Sequence, residues 1–219
     1  FGSHNIIFVS EAGSKNDKSD FTEALKKKLS ASGILFKTVN NSSNLMVDIK
    51  AQVDEGRKNI LIPTSSSDVT LRKIITSLNS AKIENISLFG YPEWQVYSQQ
   101  AGNLHKYDSY IYSIFFVDEK QRAVKEFNEE YAKWYNKKLI NSFPKYGYLG
   151  YDTGLYFLTM LDRFGSEFET NIEGFRVSTL QSAMTLKRIG ENGAFVNNGI
   201  YFVNYKPNST IEKTDIGKK

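Results

Sequence analysis

The feature that most constrains this chain is an alternation. Short runs of β-branched and aromatic residues are each followed by a stretch with helical periodicity. Asn5 to Ser10 (NIIFVS), Leu35 to Val39, Asn59 to Ile62, Asn85 to Phe89 and Tyr110 to Val117 have strand composition and are bounded by turn residues. Between them, Asp20 with Glu23 three residues on forms an acidic variant of the capping box ahead of Phe21, Ala24, Leu25 and Leu29, and Gly33 ends that helix. Asn44 is placed to cap a helix with Leu45, Ile49 and Val53 on one face. Leu71, Ile74, Ile75 and Leu78 make the clearest amphipathic stripe. Asp118 to Lys138 predicts a long helix with Val124, Phe127, Tyr131, Trp134 and Tyr135 turned inward.

Strands that are apolar on both faces and joined by helices predict an α/β fold: a mostly parallel sheet of about five strands, covered by helices on both sides. Beyond Tyr146 the rhythm changes. Gly154 to Leu161 is apolar almost all round, as in a wedged helix, and Gly199 to Tyr205 reads as a late strand. One domain over 1–207 and a fraying polar tail over 208–219 are expected.

Composition narrows the function. The 219 residues carry a net charge of +4, no cysteine and two histidines, His4 and His105. Thiolate metal sites, disulfides and cysteine nucleophiles are thereby excluded. Lys26, Lys27 and Lys28 are the one basic cluster, and Asp118, Glu119, Glu129 and Glu130 interrupt the rest, so no nucleic-acid partner is expected. No apolar run reaches the roughly 18–20 residues of a membrane span. A start at Phe1 reads as a piece of something longer or processed.

Ligands of parallel α/β sheets bind beyond the carboxyl ends of the strands, where loops converge and helix amino termini offer free N–H groups. That rim holds Ser10, Glu11, Asn40, Asn41, Thr64, Ser65, Ser66, Ser67, Tyr91, Glu93, Trp94, Val117 and Asp118. The hydroxyl run is suited to polar ligand atoms, although Ser67 or Asp68 is equally placed to cap the next helix. Tyr91-Pro92-Glu93-Trp94 joins a carboxylate to two large aromatics, with Trp94 better assigned to the core. Gly13-Ser14-Lys15 lacks the upstream glycine of a phosphate loop, and no nucleotide-binding, nucleophile-elbow or zinc-protease motif is present. Asp152 is assigned to the start of a helix and His105 to the surface. No cofactor, metal or catalytic constellation is expected.

The succession NILIPTSSSD, ISLFGYPEW, DSYIYSIFFVDE, FNEEYAKWY and GYLGYDTGLYFLTMLDRFG resembles the later part of type I periplasmic binding proteins, the leucine/isoleucine/valine-binding and ligand-binding-receptor superfamily. It is most similar to envelope proteins of Bacteroides-like bacteria in which this region accompanies a LysM peptidoglycan-binding module. The resemblance implies mainly the second of two lobes that close on a small ligand without changing it. It implies that Glu93, in a Gly90-Tyr91-Pro92-Glu93 turn with one inserted residue, holds a ligand ammonium group, and that Thr64 to Ser67 face the cleft. The chain departs from amino-acid binders in having Asp17 near a position where they carry tyrosine, and a serine run for their Tyr-Gly-Gly-like loop.

The expected function is non-catalytic binding of a small polar, amino-acid-like ligand through Ser10, Glu11, Thr64, Ser65, Ser66, Tyr91 and Glu93, in a bacterial periplasm or envelope. The alternative is an envelope scaffold that binds a protein or peptidoglycan. An upstream export or lipid-anchor signal is expected on either reading.

Overall fold

The computed structural model describes residues 3–12, 16–191 and 193–216, so the Gly13-Ser14-Lys15 turn lies outside the described residues. In chain order the strands are β1 (Asn5–Ser10), β2 (Phe36–Asn40), β3 (Asn59–Pro63), β4 (Ile86–Gly90), β5 (Ser109–Ser113), β6 (Leu186–Arg188), β7 (Phe195–Asn197), β8 (Tyr201–Tyr205) and β9 (Ile211–Asp215). The α-helices are α1 (Ser19–Ala31), α2 (Leu45–Gln52), α3 (Asp68–Ala81), α4 (Ala101–Lys106), α5 (Arg122–Tyr135) and α6 (Tyr146–Phe164). Two compact units are distinguished: Phe1–Ile111 with Val203–Glu212, and Tyr112–Phe202 with Lys213–Lys219.

The sheet has strand order β2-β1-β3-β4-β5-β8-β9, and the first unit contains all of β1 to β4. Strands β1 to β5 pair in parallel, with Ile6 opposite Phe36 on one side and Ile60 on the other. Ile7, Phe8, Val9 and Leu61 are fully buried, as both-face coverage requires. Ile6, Phe8, Ile60 and Ile62 pack with Leu25 and Leu29 of α1. The predicted stripe of α3, Leu71 to Leu78, is buried throughout, each side chain contributing about 2 kcal/mol of gross transfer energy.

Local chemistry moves several boundaries. The capping box at Asp20 does not form: Lys18 occupies the cap position of α1 without a side-chain bond. Its backbone N–H is bonded to the Thr64 carbonyl (3.0 Å), which fixes where the helix begins. Strand β5 ends at Ser113 rather than running to Val117. The Ser113 hydroxyl donates to the Phe115 carbonyl and accepts the Phe115 N–H, turning the backbone out of the ladder. The segment read as a fraying tail contains β9, because Ser209 adopts a positive φ and the Lys206 N–H reaches the Thr210 carbonyl (2.9 Å), closing a turn after β8. A polar segment suffices there, since a sheet's outermost strand is held by backbone bonds.

In the second unit α5 is shorter than expected and ends at Asn136, which has a left-handed backbone. Val124 is buried as predicted, but Trp134 and Tyr135 are 77% and 64% exposed, against their inward assignment. Phe127 packs inward against Val124, Tyr148 and Leu180 as expected, and from it Tyr131 and Tyr135 follow along the helix as tilted ring pairs, with centroids 6.0 and 4.7 Å apart. The buried clusters of this unit are Tyr156, Met160, Ile172 and Phe175, and Val124, Tyr148 and Leu180. Asp152 is not a helix starter but a fully buried residue within α6.

Candidate functional site

The rim of the first unit is assembled at the carboxyl ends of β1, β3 and β4. The Thr64 N–H bonds the Val9 carbonyl (2.8 Å), and its hydroxyl accepts the Glu11 N–H (2.9 Å), so the loops after β1 and β3 leave the sheet together. Glu11 Oε1 accepts from the Asn41 amide and the Thr70 hydroxyl. Ser67 caps α3, its hydroxyl accepting the Thr70 N–H (3.2 Å). The turn after β4 joins from the other side, where the buried Tyr91 donates its hydroxyl to the Pro63 carbonyl (2.5 Å).

The predicted site residues thus come to one edge, with different exposures. Thr64, Ser65, Ser66 and Tyr91 are buried, and they shape the rim through internal bonds. Ser10, Glu11 and Glu93 are partly exposed, and the Ser10 carbonyl accepts the Asn41 N–H (2.8 Å). Trp94 is core, 1% exposed, and a Cβ at Gly90 would overlap its indole ring. Val117 and Asp118 belong to the second unit, where Val117 packs near Val124 and Tyr148, and Asp118 accepts the Lys120 N–H (3.0 Å).

The central feature is a pair that sequence reasoning missed. Lys18 Nζ lies 2.6 Å from Glu93 Oε1, 3.7 Å from Asp17 Oδ2 and 5.3 Å from the Tyr91 ring centroid. Glu93 Oε2 is shielded from solvent and has no hydrogen-bond partner among the described residues. No local pattern marked Lys18, because its role depends on a residue 75 positions away.

Asp17 binds the N–H and hydroxyl of Ser66 at 2.9 and 2.5 Å. Burial pushes its carboxyl pKa up, but the bonds from Ser66 and Ser65 and the Lys18 charge outweigh that, holding it below 3.8. A depressed folded-state pKa gives stability that is present above the unfolded value and lost as pH falls through the folded one. The Ser66 amide resonance is therefore expected to titrate with a midpoint below the ordinary aspartate range. A midpoint at or above that range would show that the contact does not favour the charged form. Tyr97, whose hydroxyl donates to the Ser66 carbonyl (3.3 Å), is pushed up by burial and then by the charges of Glu93, Asp68 and Asp17.

A cavity of about 440 Å³ is lined by Asp68, Arg72, Val96, Tyr97, Ser98 and Gln99, and shares Asp68 and Tyr97 with this acidic neighbourhood. Asp68 Oδ2 pairs with Arg72 (2.8 Å), whereas Oδ1 is shielded and without a partner among the described residues. Among the described residues no group of three or more acidic or histidine side chains could hold a metal ion, and no helix is long and apolar enough to cross a membrane.

The α/β architecture with its mostly parallel sheet is that of the periplasmic ligand-binding proteins. Similar solved structures include a branched-chain amino acid transporter ligand-binding protein from Burkholderia xenovorans (TM-score 0.63, 15% identity, 97% of this chain and 58% of that one). A putative branched-chain amino acid transporter protein from Rhodospirillum rubrum aligns with TM-score 0.60 and 11% identity, over 97% of this chain and 61% of the other. One from Thermus thermophilus with bound valine gives 0.54 and 10%, over 97% and 60%. This chain therefore spans about three-fifths of their length, and at such identities the likeness shows the fold alone. No family model and no curated protein matches the sequence.

Proposed function

We propose that the first unit is a non-catalytic binding domain whose rim takes a small polar molecule bearing an ammonium group. The observation that carries this reading is the state of Glu93: one oxygen holds the Lys18 ammonium at 2.6 Å, and the other is shielded from water and unpaired among the described residues. A carboxylate in this setting already accepts one ammonium and has capacity for a second donor. Lys18 and Glu93 side chains are 20% and 35% exposed, so their pairing is worth about 1 kcal/mol at most and does not bar a competing ligand. Glu11, Asp17 and Asp68 make the surroundings acidic, and the buried Thr64, Ser65, Ser66 and Tyr91 hold the loops in place. In the complete protein a second lobe would supply the facing wall and favour the closed state.

Calorimetric titration with a panel of free amino acids and their N-acetyl derivatives tests this. Free amines are expected to bind and acetylated ones not to. Glu93→Gln is expected to weaken binding about tenfold or more by removing a charge-assisted bond, and Lys18→Gln to strengthen it. Equal affinities for amine and acetyl forms, or an unaffected Glu93→Gln variant, would refute the proposal.

A second reading, an envelope scaffold for a protein or peptidoglycan partner, is favoured by the exposed aromatic and aliphatic side chains of the second unit: Trp134, Tyr135, Tyr146 and Ile140, 64–82% exposed. A partner captured equally by Glu93→Gln and parent, but lost on Trp134→Ala, would favour it. Either role is proposed for a bacterial periplasm or envelope, and a LysM association would go with the second.

A further inference from the structure

The second unit contains a cavity of about 280 Å³ that the rim does not use. Its charged lining is Arg176, Lys213 and Asp215, so two cations face one carboxylate and the formal balance is one positive. Lys213 Nζ lies 4.5 Å from the centroid of Tyr201, another lining residue, and Val177 and Met184 add an apolar wall.

Ser182, 1% exposed, also lines this space and is held firmly. Its N–H donates to Asp152 Oδ2 (2.8 Å), and its carbonyl accepts the hydroxyls of Thr179 (2.6 Å) and Tyr201 (3.0 Å). Its own hydroxyl, however, is shielded from solvent and has no partner among the described residues. A buried hydroxyl left unpaired in so fixed a frame calls for an explanation. A ligand atom that accepts from it is the explanation the neighbouring cations favour.

We propose that this cavity is a binding site for a small monocarboxylate. The carboxylate faces Arg176 and accepts from the Ser182 hydroxyl, and a short apolar body lies against Val177, Met184 and the Tyr201 ring. The volume is ample for a compound of few non-hydrogen atoms. Asp215 in the lining and the Asp152 carboxylate behind Ser182 disfavour a dianion.

The test titrates the full chain with sodium butyrate, sodium phosphate and butylamine hydrochloride at matched ionic strength, followed by calorimetry and amide resonances. Butyrate alone is expected to bind saturably and to move the amides of 176–184. Arg176→Gln should weaken binding about tenfold, since a charge-assisted bond is lost. Ser182→Ala should weaken it about fivefold without lowering Tm in the free protein, because no existing hydrogen bond is removed. The proposal fails if butyrate does not saturate, if phosphate or butylamine binds as well, or if the resonance changes fall at the rim. It fails equally if Arg176→Gln binds like the parent, or if Ser182→Ala leaves affinity unchanged or lowers Tm. It stands or falls independently of the Glu93 reading.

Discussion

Asp152→Ala is expected to destabilise the second unit by about 3–5 kcal/mol, the largest effect of any single substitution considered. The fully buried carboxylate accepts three backbone N–H groups, from Leu180 (2.7 Å), Gln181 (2.9 Å) and Ser182 (2.8 Å). Alanine leaves all three donors buried without their acceptor. The loss spreads, because Leu180 belongs to the core around Val124 and Tyr148, and the Gln181 side chain accepts the Lys145 N–H (3.0 Å) at the start of α6. For a chain of this size a drop in Tm of roughly 10 °C follows. Asp152→Asn should fall in between, since its oxygen still accepts while its NH₂ opposes a donor. Thermal unfolding of the three proteins checks this. An alanine variant within 2 °C of the parent would mean that the loop is held by other contacts.

Trp94→Ala is expected to cost about 4 kcal/mol, the usual range for deleting a buried large aromatic. The indole covers Gly90, where any Cβ would overlap it, and meets Tyr91 edge-on with centroids 6.3 Å apart. The turn that carries Glu93 is therefore built on the fit between a glycine and an indole plane. Trp94→Phe should cost less than half as much, because the indole N–H is buried without a partner among the described residues and its removal forfeits none of the hydrogen bonds seen there. Urea unfolding distinguishes the two. Equal losses for Ala and Phe would show that the N–H, not the ring's area, is what matters. The alanine variant should also lose the Lys18 contact, read as a changed Glu93 carboxyl resonance.

The strands of the first unit were legible because burial on both faces writes an unbroken apolar run, as in NIIFVS and NILIP, and β1 spans the residues read from composition. The α3 stripe was legible for the same reason at a period of 3.6. The end of β5 was not, since Tyr110 to Val117 stays apolar past the point where the Ser113 hydroxyl turns the chain. Nor was the exposed end of α5: Trp134 and Tyr135 continue the apolar pattern, but sequence spacing does not say how far the covering layer extends. At the rim, the positions after β1, β3 and β4 named from the carboxyl-edge rule do meet, whereas Val117 and Asp118, named by the same rule, fall in the second unit. The division of labour among them was hidden, because the buried Thr64 and Tyr91 and the partly exposed Glu93 look alike as polar residues in loops.

The sequence by itself determined the alternation of strands and helices, the parallel pairing and the edge where polar loops gather, because those follow from periodicity and local backbone preference. Only the tertiary structure decided that Lys18 stands on Glu93, that Asp152 holds the 180–182 loop, and that the Ser182 hydroxyl, unpaired among the described residues, lines one cavity with Arg176. Each of those depends on distance and desolvation between residues far apart in the chain, and no local pattern encodes them.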